Sequence, residues 1–417
     1  MKIAYLAPEI PALSATFVYN EILQLESLGT NVVPFSVHEP SSQIQEPRVY
    51  DLGKRTLCLY SLSKAAVLMS NVSFLIKHPI RYIKTLGLLC TDMWEVGLFS
   101  RTAFGLGYRF IFSASLAEYL VEKKCDHIHV HFAHIPTDIA MYASSLSCVS
   151  YSVTAHANDL YERGWLLDKK VQRSQFFATI SEFNKRYLAD KGINVEKVEI
   201  IRCGVDPAQF TERKELVNNK IPKLGVIGRL VGKKGFDTLI KVVAILKNQG
   251  QVVELHIAGD GPLESELKSL SKDVGLTEMD ISFLGSIPHS DVAEFIKSLD
   301  MFVLPCKRDE NGDVDGIPVV LMEAMLSGIP VISSKLSGIP ELVINKETGL
   351  LIEQNNTEEL ARTISSLIND DVMKNKLIGK AATKVREDFS LIENTRKLNA
   401  LFHKSRGEPQ NLQKLER

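Results

Sequence analysis

Asp315-Gly-Ile-Pro-Val-Val-Leu-Met-Glu323 is the stretch whose reading decides the fold. Ahead of it, Met301-Phe-Val-Leu-Pro-Cys306 reads as a buried strand that runs into a polar loop, 307–315. Gly316 and Pro318 then open an apolar helix over 318–327, Gly328 ends it, and a second apolar strand follows at 329–333. A strand–loop–helix–strand unit of this kind aims a helix N-terminus at the carboxyl edge of a parallel sheet. Unpaired N–H groups and the positive end of the helix dipole favour an anion there, such as a diphosphate. Asp315 and Glu323 flank the spot. Carboxylates are poor phosphate ligands but accept hydrogen bonds from sugar hydroxyls, so the stretch points to a nucleotide-sugar.

Outward from this unit, strands and helices alternate along the chain, the pattern of an α/β protein with parallel sheets. A first series of strands is predicted at 2–7, 31–37, 127–132, 151–155, 176–180 and 198–202. A second starts afresh at 223–227 and continues at 253–258, 281–284, 301–305, 331–333 and 350–352. The polar, strand-free segment 207–222 separates them. Two Rossmann-like domains facing across a cleft are therefore expected, 1–206 and 207–388, with the binding site in the cleft. Residues 389–417 are expected to form a helix and tail packing back toward the amino-terminal domain, and to fray after Arg406.

A length of 417 residues is too great for one ordinary domain, and 45% apolar residues suffice for real cores. Lys and Arg total 49 against 50 Asp and Glu, so no basic field recruits nucleic acid. Cys58, Cys90, Cys125, Cys148, Cys203 and Cys306 lie far apart and read as reduced thiols. Pro8 and Glu9 stop the first apolar run, which makes it a strand and not a leader, and the uncharged run 65–76 falls short of the ~20 residues a bilayer needs. A cytoplasmic chain is expected, or one held at the inner face of the cytoplasmic membrane. The second option comes from residues 43–124, which carry eleven Lys/Arg and six Asp/Glu among long apolar stretches. They read as amphipathic helices, either a membrane-surface face meeting a lipid-linked acceptor or helices packed on the first sheet with solvated lysines, the commoner use of such a pattern.

Further motifs bear on chemistry. In Gly228-Arg-Leu-Val-Gly-Lys-Lys-Gly235 the glycines allow a close turn, and Arg229 and Lys234 can reach one phosphate group. Ala258-Gly-Asp-Gly-Pro262 is a tight turn into a helix and lacks the third glycine of a dinucleotide fingerprint. His156 ends a strand and can donate to a developing charge, although a lone histidine is more often a packing residue. His127, His129 and His131 share a strand face at roughly 7 Å spacing, too linear for a tight metal shell. His131 or His134 is instead expected to point into the cleft. Asn311-Gly-Asp-Val-Asp-Gly316 imitates a calcium loop, but the twelfth position is Met322 where a glutamate belongs. No metal is expected.

Taken in order, Gly204-Val-Asp-Pro-Ala-Gln-Phe210, Gly228-Arg229, Lys234-Gly235, Ile257-Ala-Gly-Asp-Gly-Pro262, Phe283-Leu-Gly285, Gly316-Ile-Pro318, Glu323-Ala-Met325, Gly328-Ile-Pro330, Ser337-Gly-Ile-Pro-Glu341 and Thr348-Gly-Leu-Leu351 resemble the family 4 retaining glycosyltransferases of the GT-B fold. The resemblance covers most of the chain and is strongest over 181–353. It implies that Arg229 and Lys234 hold the diphosphate of a UDP- or GDP-sugar, with Gly316, Ile317 and Pro318 at the helix start, and that Glu323 binds the ribose. Asp315 takes the place of the first glutamate in the family's E-x7-E pattern, one methylene shorter, and would meet the donor sugar. His156 matches the family's cleft histidine. The 8–16 loop lacks the Gly-Gly of many members; its Ser14-Ala-Thr16-Phe resembles a branch of bacterial exopolysaccharide assembly that includes colanic-acid-type enzymes. Ser14, Thr16 and His131 are then candidates for the acceptor side, and the acceptor a saccharide, undecaprenyl-linked in such a branch.

The implied reaction is retaining, metal-independent hexosyl transfer in which Arg229, Lys234 and the helix start stabilise the departing diphosphate without a cofactor. Two rivals remain: a GT-B epimerase or phosphorylase, and a non-catalytic sugar-nucleotide-binding component of a polysaccharide assembly complex. An NAD-linked oxidoreductase is disfavoured because no GxGxxG follows the first strand.

Overall fold

The computed structural model describes residues 1–12, 15–40, 46–213 and 219–404, with the side chain of His289 left aside. The chain divides into two units. The first comprises Met1–Ile180, Asn184–Ile201 and the described residues from Leu391 onward; the second comprises Ser181–Phe183 and Arg202–Ser390. The contact pattern thus divides the chain at 201/202, a few residues ahead of the polar segment, and returns it to the first unit at Leu391.

In the first unit the strands are β1 (Lys2–Ala7), β2 (Asn31–Ser36), β3 (Leu57–Cys58), β4 (His127–His131), β5 (Tyr151–Ala155), β6 (Phe177–Thr179) and β7 (Val198–Ile200). They form one parallel sheet in the order β3-β2-β1-β4-β5-β6-β7. The order reverses between β1 and β4, and such a switch point opens a crevice at the carboxyl edge. β4 shows how alternation assigns the faces. Ile128 and Val130 enter one core with Phe110, Leu116 and Ile139, under the helices Arg101–Glu122 and Ile135–Ser147. His127 and His129 face the other way, against Phe176 and Phe402. Phe402 belongs to the helix Leu391–Lys404 and is fully buried, which contributes about 1.5–3 kcal/mol toward anchoring that helix.

The second unit holds β8 (Lys223–Ile227), β9 (Glu254–Ala258), β10 (Ile281–Gly285), β11 (Met301–Leu304), β12 (Val331–Ser334) and β13 (Leu350–Ile352). Their order is β10-β9-β8-β11-β12-β13, again all parallel. Its switch point lies between β8 and β11. Two glycines let the loops close over it. Gly259 (φ 133°) would place a Cβ 2.0 Å from the Gly228 carbonyl oxygen, and Gly235 (φ 73°) 2.0 Å from that of Pro305. Only a residue without a Cβ permits these approaches. The turn after β8 is thereby pressed onto the turns after β9 and β11, with Leu230 N–H donating to Asp260 at 2.7 Å and Lys307 N–H to Lys233 at 2.9 Å.

Residues 64–122 form three successive helices, Lys64–Lys77, Pro79–Glu95 and Arg101–Glu122. Ser63 and Ser100 cap the first and third by accepting from Ala66 and Ala103 N–H. Among the described residues no helix is long and apolar enough to cross a membrane.

Candidate active site

The second unit gathers three cations at its switch point. Arg229 follows β8 directly, is exposed, and forms no ion pair among the described residues. The 3-10 turn Gly232–Lys234, pinned by Gly235, carries two lysines toward the loop after β11. Lys234 Nζ lies 2.8 Å from Asp315 Oδ2, and Lys233 Nζ lies 2.8 Å from Asp313 Oδ2 and 3.5 Å from Asp315 Oδ1. Burial opposes the charge on Lys234, but the Asp315 carboxylate outweighs it and holds the lysine's pKa above its ordinary value. The reciprocal holds at Asp315: burial pushes its pKa up, Lys234 and Lys233 pull it down further, and the net is a lowered, ionised carboxyl. Cys306 Sγ stands 3.5 Å from the same carboxylate, and burial together with that charge keeps its thiol protonated.

The apolar helix spans Val319–Leu326, one residue shorter at each end than the sequence suggests, with Pro318 as its cap residue. Gly316 and Ile317 precede it, buried. The first N–H groups of such a helix have no intrahelical acceptor. Glu323 sits just over one turn inside, only 8% exposed. It has no cationic neighbour and no side-chain hydrogen bond among the described residues, and burial alone raises its pKa from 4.5 to about 7. An isolated buried carboxyl is costly and marks a position where a ligand would supply the missing donors.

The first unit builds a buried histidine chain at the carboxyl end of β4 and β5. His156 Nε2 is 2.9 Å from His131 Nδ1, and His131 Nε2 is 3.0 Å from Glu21 Oε1 and 2.6 Å from Tyr5 Oη. Glu21 projects from the helix Thr16–Ser27, which Thr16 begins; Ser14 lies outside the described residues. Burial first, then the neighbouring histidines, drives the His156 pKa well below 6.5, so the ring is neutral. Asp159 fixes its backbone, accepting from His156 N–H at 2.9 Å and from Ala133 N–H at 2.6 Å.

One expectation needs correction. His134 does not reach outward: it caps the helix Ile135–Ser147, its Nδ1 accepting from Ile135 N–H at 2.7 Å, and burial lowers its pKa to about 3. In the calcium-like loop Asp313 and Asp315 are each paired with a lysine. Glu21, His129 and His131 place ligand atoms within 4.8 Å of one another. Both ring nitrogens of His129 are nevertheless engaged, Nδ1 with Ser152 at 2.8 Å and Nε2 with Thr154 at 3.1 Å.

Sequence reasoning missed Lys233, Cys306, Glu21 and Tyr5. Lys233 was adjacent to a chosen residue and distinguishable only by its partner. Glu21 carried one faint signal, an acidic residue on the buried stripe of an otherwise apolar helix.

Comparison with known proteins finds glycosyltransferase models matching two parts of the chain. A sequence model described as Glycosyl transferases group 1 matches residues 208–385, and one described as Glycosyltransferase Family 4 matches residues 95–209. WcaL of Salmonella typhimurium, named for colanic acid biosynthesis as a glycosyltransferase, is 29% identical over 421 residues, covering 96% of this chain and 99% of its own. The amylovoran biosynthesis glycosyltransferase AmsK of Erwinia amylovora is 26% identical over 403 residues, covering 94% and 96%. Among solved structures, HepE of Anabaena in complex with UDP superposes with a TM-score of 0.72 at 16% identity, covering 97% of this chain and 100% of that one. At that identity the likeness speaks for the fold.

Proposed function

The chain belongs to the glycosyltransferases of the GT-B fold, with a family 4 domain and a group 1 domain, and from that premise we propose that it transfers a hexosyl group from a UDP- or GDP-sugar to a lipid-linked saccharide in exopolysaccharide biosynthesis. Transfer proceeds with retention of configuration and without a metal. Arg229, Lys233, Lys234 and the start of the helix Val319–Leu326 hold the diphosphate and stabilise its charge as it departs. Glu323 accepts hydrogen bonds from the ribose hydroxyls. Asp315 meets the transferred sugar, and His156, held neutral, is a hydrogen-bond partner for it. The bond from the anomeric carbon to the phosphate oxygen breaks on the face where the acceptor oxygen adds. That phosphate oxygen takes the acceptor's proton, so no enzymic nucleophile is required. Thr16 and His131 belong to the acceptor side. The lipid-linked acceptor places the chain at the inner face of the cytoplasmic membrane.

One observation carries this reading: an arginine without an ion pair among the described residues and two lysines stand at the switch point of the same unit that buries Glu323, whose carboxyl has no side-chain partner among the described residues. Isothermal titration with UDP, GDP and their sugars, with EDTA present, tests it. One nucleotide series should bind, and Lys234→Ala should weaken its nucleotide-sugar by about 10- to 100-fold, the worth of one charge-assisted bond. Undiminished binding by a folded Lys234→Ala protein would overturn the assignment, and product NMR with that donor reads the anomeric outcome.

A further inference from the structure

Sixteen of the twenty large apolar side chains exposed among the described residues fall within residues 50–121. The helix Pro79–Glu95 shows the arrangement: it buries Thr85, Leu89 and Asp92 on one side and leaves Ile80, Ile83 and Trp94, which share the opposite helical face, open. The helix Lys64–Lys77 buries Val67, Ser70 and Phe74 and leaves its own apolar stripe uncovered. Packing on the sheet therefore explains only one side of each helix. The uncovered sides are extreme, with Trp94 76% and Phe99 86% exposed. An apolar face of this size on a soluble domain marks an interaction site.

Charge selects the occupant. From Leu52 to Thr91 the chain has no Asp or Glu at all, against six Lys and Arg. Lys64, Lys77 and Lys84 are exposed within this span and make no ion pair among the described residues. A second copy docked on the same face would oppose lysines to lysines with no carboxylate between them from this span, a poor isologous contact. An anionic lipid surface suits both components: apolar and aromatic side chains enter the headgroup boundary while lysine ammonium groups stay at the phosphates. We propose that the exposed face of residues 64–104 docks the protein onto a membrane rich in anionic phospholipid. The proposal deepens the lipid-linked acceptor reading by naming the surface that meets the lipid, and vesicle binding is measured without donor or acceptor, so either can fail alone.

The test is flotation of the full-length protein with vesicles of phosphatidylcholine alone or mixed with phosphatidylglycerol. Binding should require phosphatidylglycerol and should collapse as salt rises from ~0.1 M to ~1 M. Lys77→Gln with Lys84→Gln should lower the partition coefficient by about 30-fold, from roughly fivefold per lysine. Trp94→Ser with Phe99→Ser should lower it at both salt concentrations while leaving nucleotide binding and the melting curve unchanged. Failure of the parent protein to float with either vesicle overturns the proposal. So does partition indifferent to both pairs of substitutions. Sedimentation velocity without lipid covers the rival occupant: a dimer that Trp94→Ser with Phe99→Ser dissociates assigns the face to a second copy and overturns it as well.

Discussion

Glu323→Gln should stabilise the free protein above neutral pH while weakening its hold on nucleotide. Burial without a partner raises the Glu323 pKa from 4.5 to about 7. Across that window the folded chain retains a proton that the unfolded chain has released. The protein with more protons bound in the folded state loses stability as pH rises, so this group's cost grows from about pH 4.5 to about pH 7 and is constant beyond. Each pKa unit is worth ~1.4 kcal/mol, which sums to on the order of 3 kcal/mol at pH 8. Glutamine is neutral throughout and removes that cost, though its amide still lacks partners, so a gain on the order of 1–3 kcal/mol remains. At about 2–4 °C per kcal/mol, calorimetry resolves this as a rise in the melting temperature of the second unit. The comparison is made at roughly pH 3.5 and pH 8, because linkage demands that the gain all but vanish below the unfolded carboxyl's pKa of 4.5. The same variant should lose about tenfold in nucleotide affinity at the higher pH, since a neutral amide accepts weaker hydrogen bonds from ribose than a carboxylate does. A stability gain equal at both pH values, or none at the higher one, would refute the argument that an unpaired, buried, ionisable carboxyl sits there.

Arg229→Ala removes an exposed cation that no described side chain pairs; stability should move by less than about 0.5 kcal/mol, while nucleoside diphosphate affinity, read by titration calorimetry, falls about 10- to 100-fold. Asp315→Asn leaves Lys234 without its carboxylate, while Lys233 keeps Asp313, and should cost on the order of 3 kcal/mol of stability and abolish transfer. Because the Asp315 pKa is lowered, its stabilisation is complete above the ordinary carboxylate value and lost only as pH falls through the lowered one; the denaturation gap between parent and variant should therefore stay flat at neutral pH and close only in acid. Gly235→Ala forces a Cβ to within 2.0 Å of the Pro305 carbonyl oxygen at φ 73°; urea unfolding of the second unit should show a loss of ~2 kcal/mol or more.

The chain's two parallel sheets were legible because strands buried on both faces leave short apolar runs between turn residues, and twelve of them read within one or two residues of their observed ends. β3 escaped because two residues at a sheet edge have no periodicity to detect. His134 is a different failure. Pro136 in the first turn marks a helix start, and the cap His134 stands two residues ahead of it. The ion pairs of Lys233 and Lys234 with Asp313 and Asp315 could not be read at all. The lysines and carboxylates are some eighty residues apart in sequence and meet only because Gly235 lets one turn press against the end of β11.

Those ion pairs change what the cationic site is. The sequence suggests one lysine, Lys234, waiting for phosphate; in the structure Lys234 and Lys233 are each already paired with a carboxylate at 2.8 Å. Of the three cations, only Arg229 forms no ion pair among the described residues. A diphosphate that reaches Lys234 must therefore compete with Asp315, and the exchange is favourable only if Asp315 gains a new partner as it lets go. Sugar hydroxyls are donors of that kind, whereas a free nucleoside diphosphate brings none to it. The geometry thus makes Asp315 a discriminator between donor and product. A nucleotide-sugar satisfies both the lysine and the carboxylate, while the departing nucleotide leaves the carboxylate to reclaim its lysine, which favours release. Asp315→Asn removes that competition, so nucleoside diphosphate should bind the variant at least as tightly as the parent even though transfer is lost. Weaker binding by a folded Asp315→Asn protein would mean that the pair is structural and takes no part in selecting the donor.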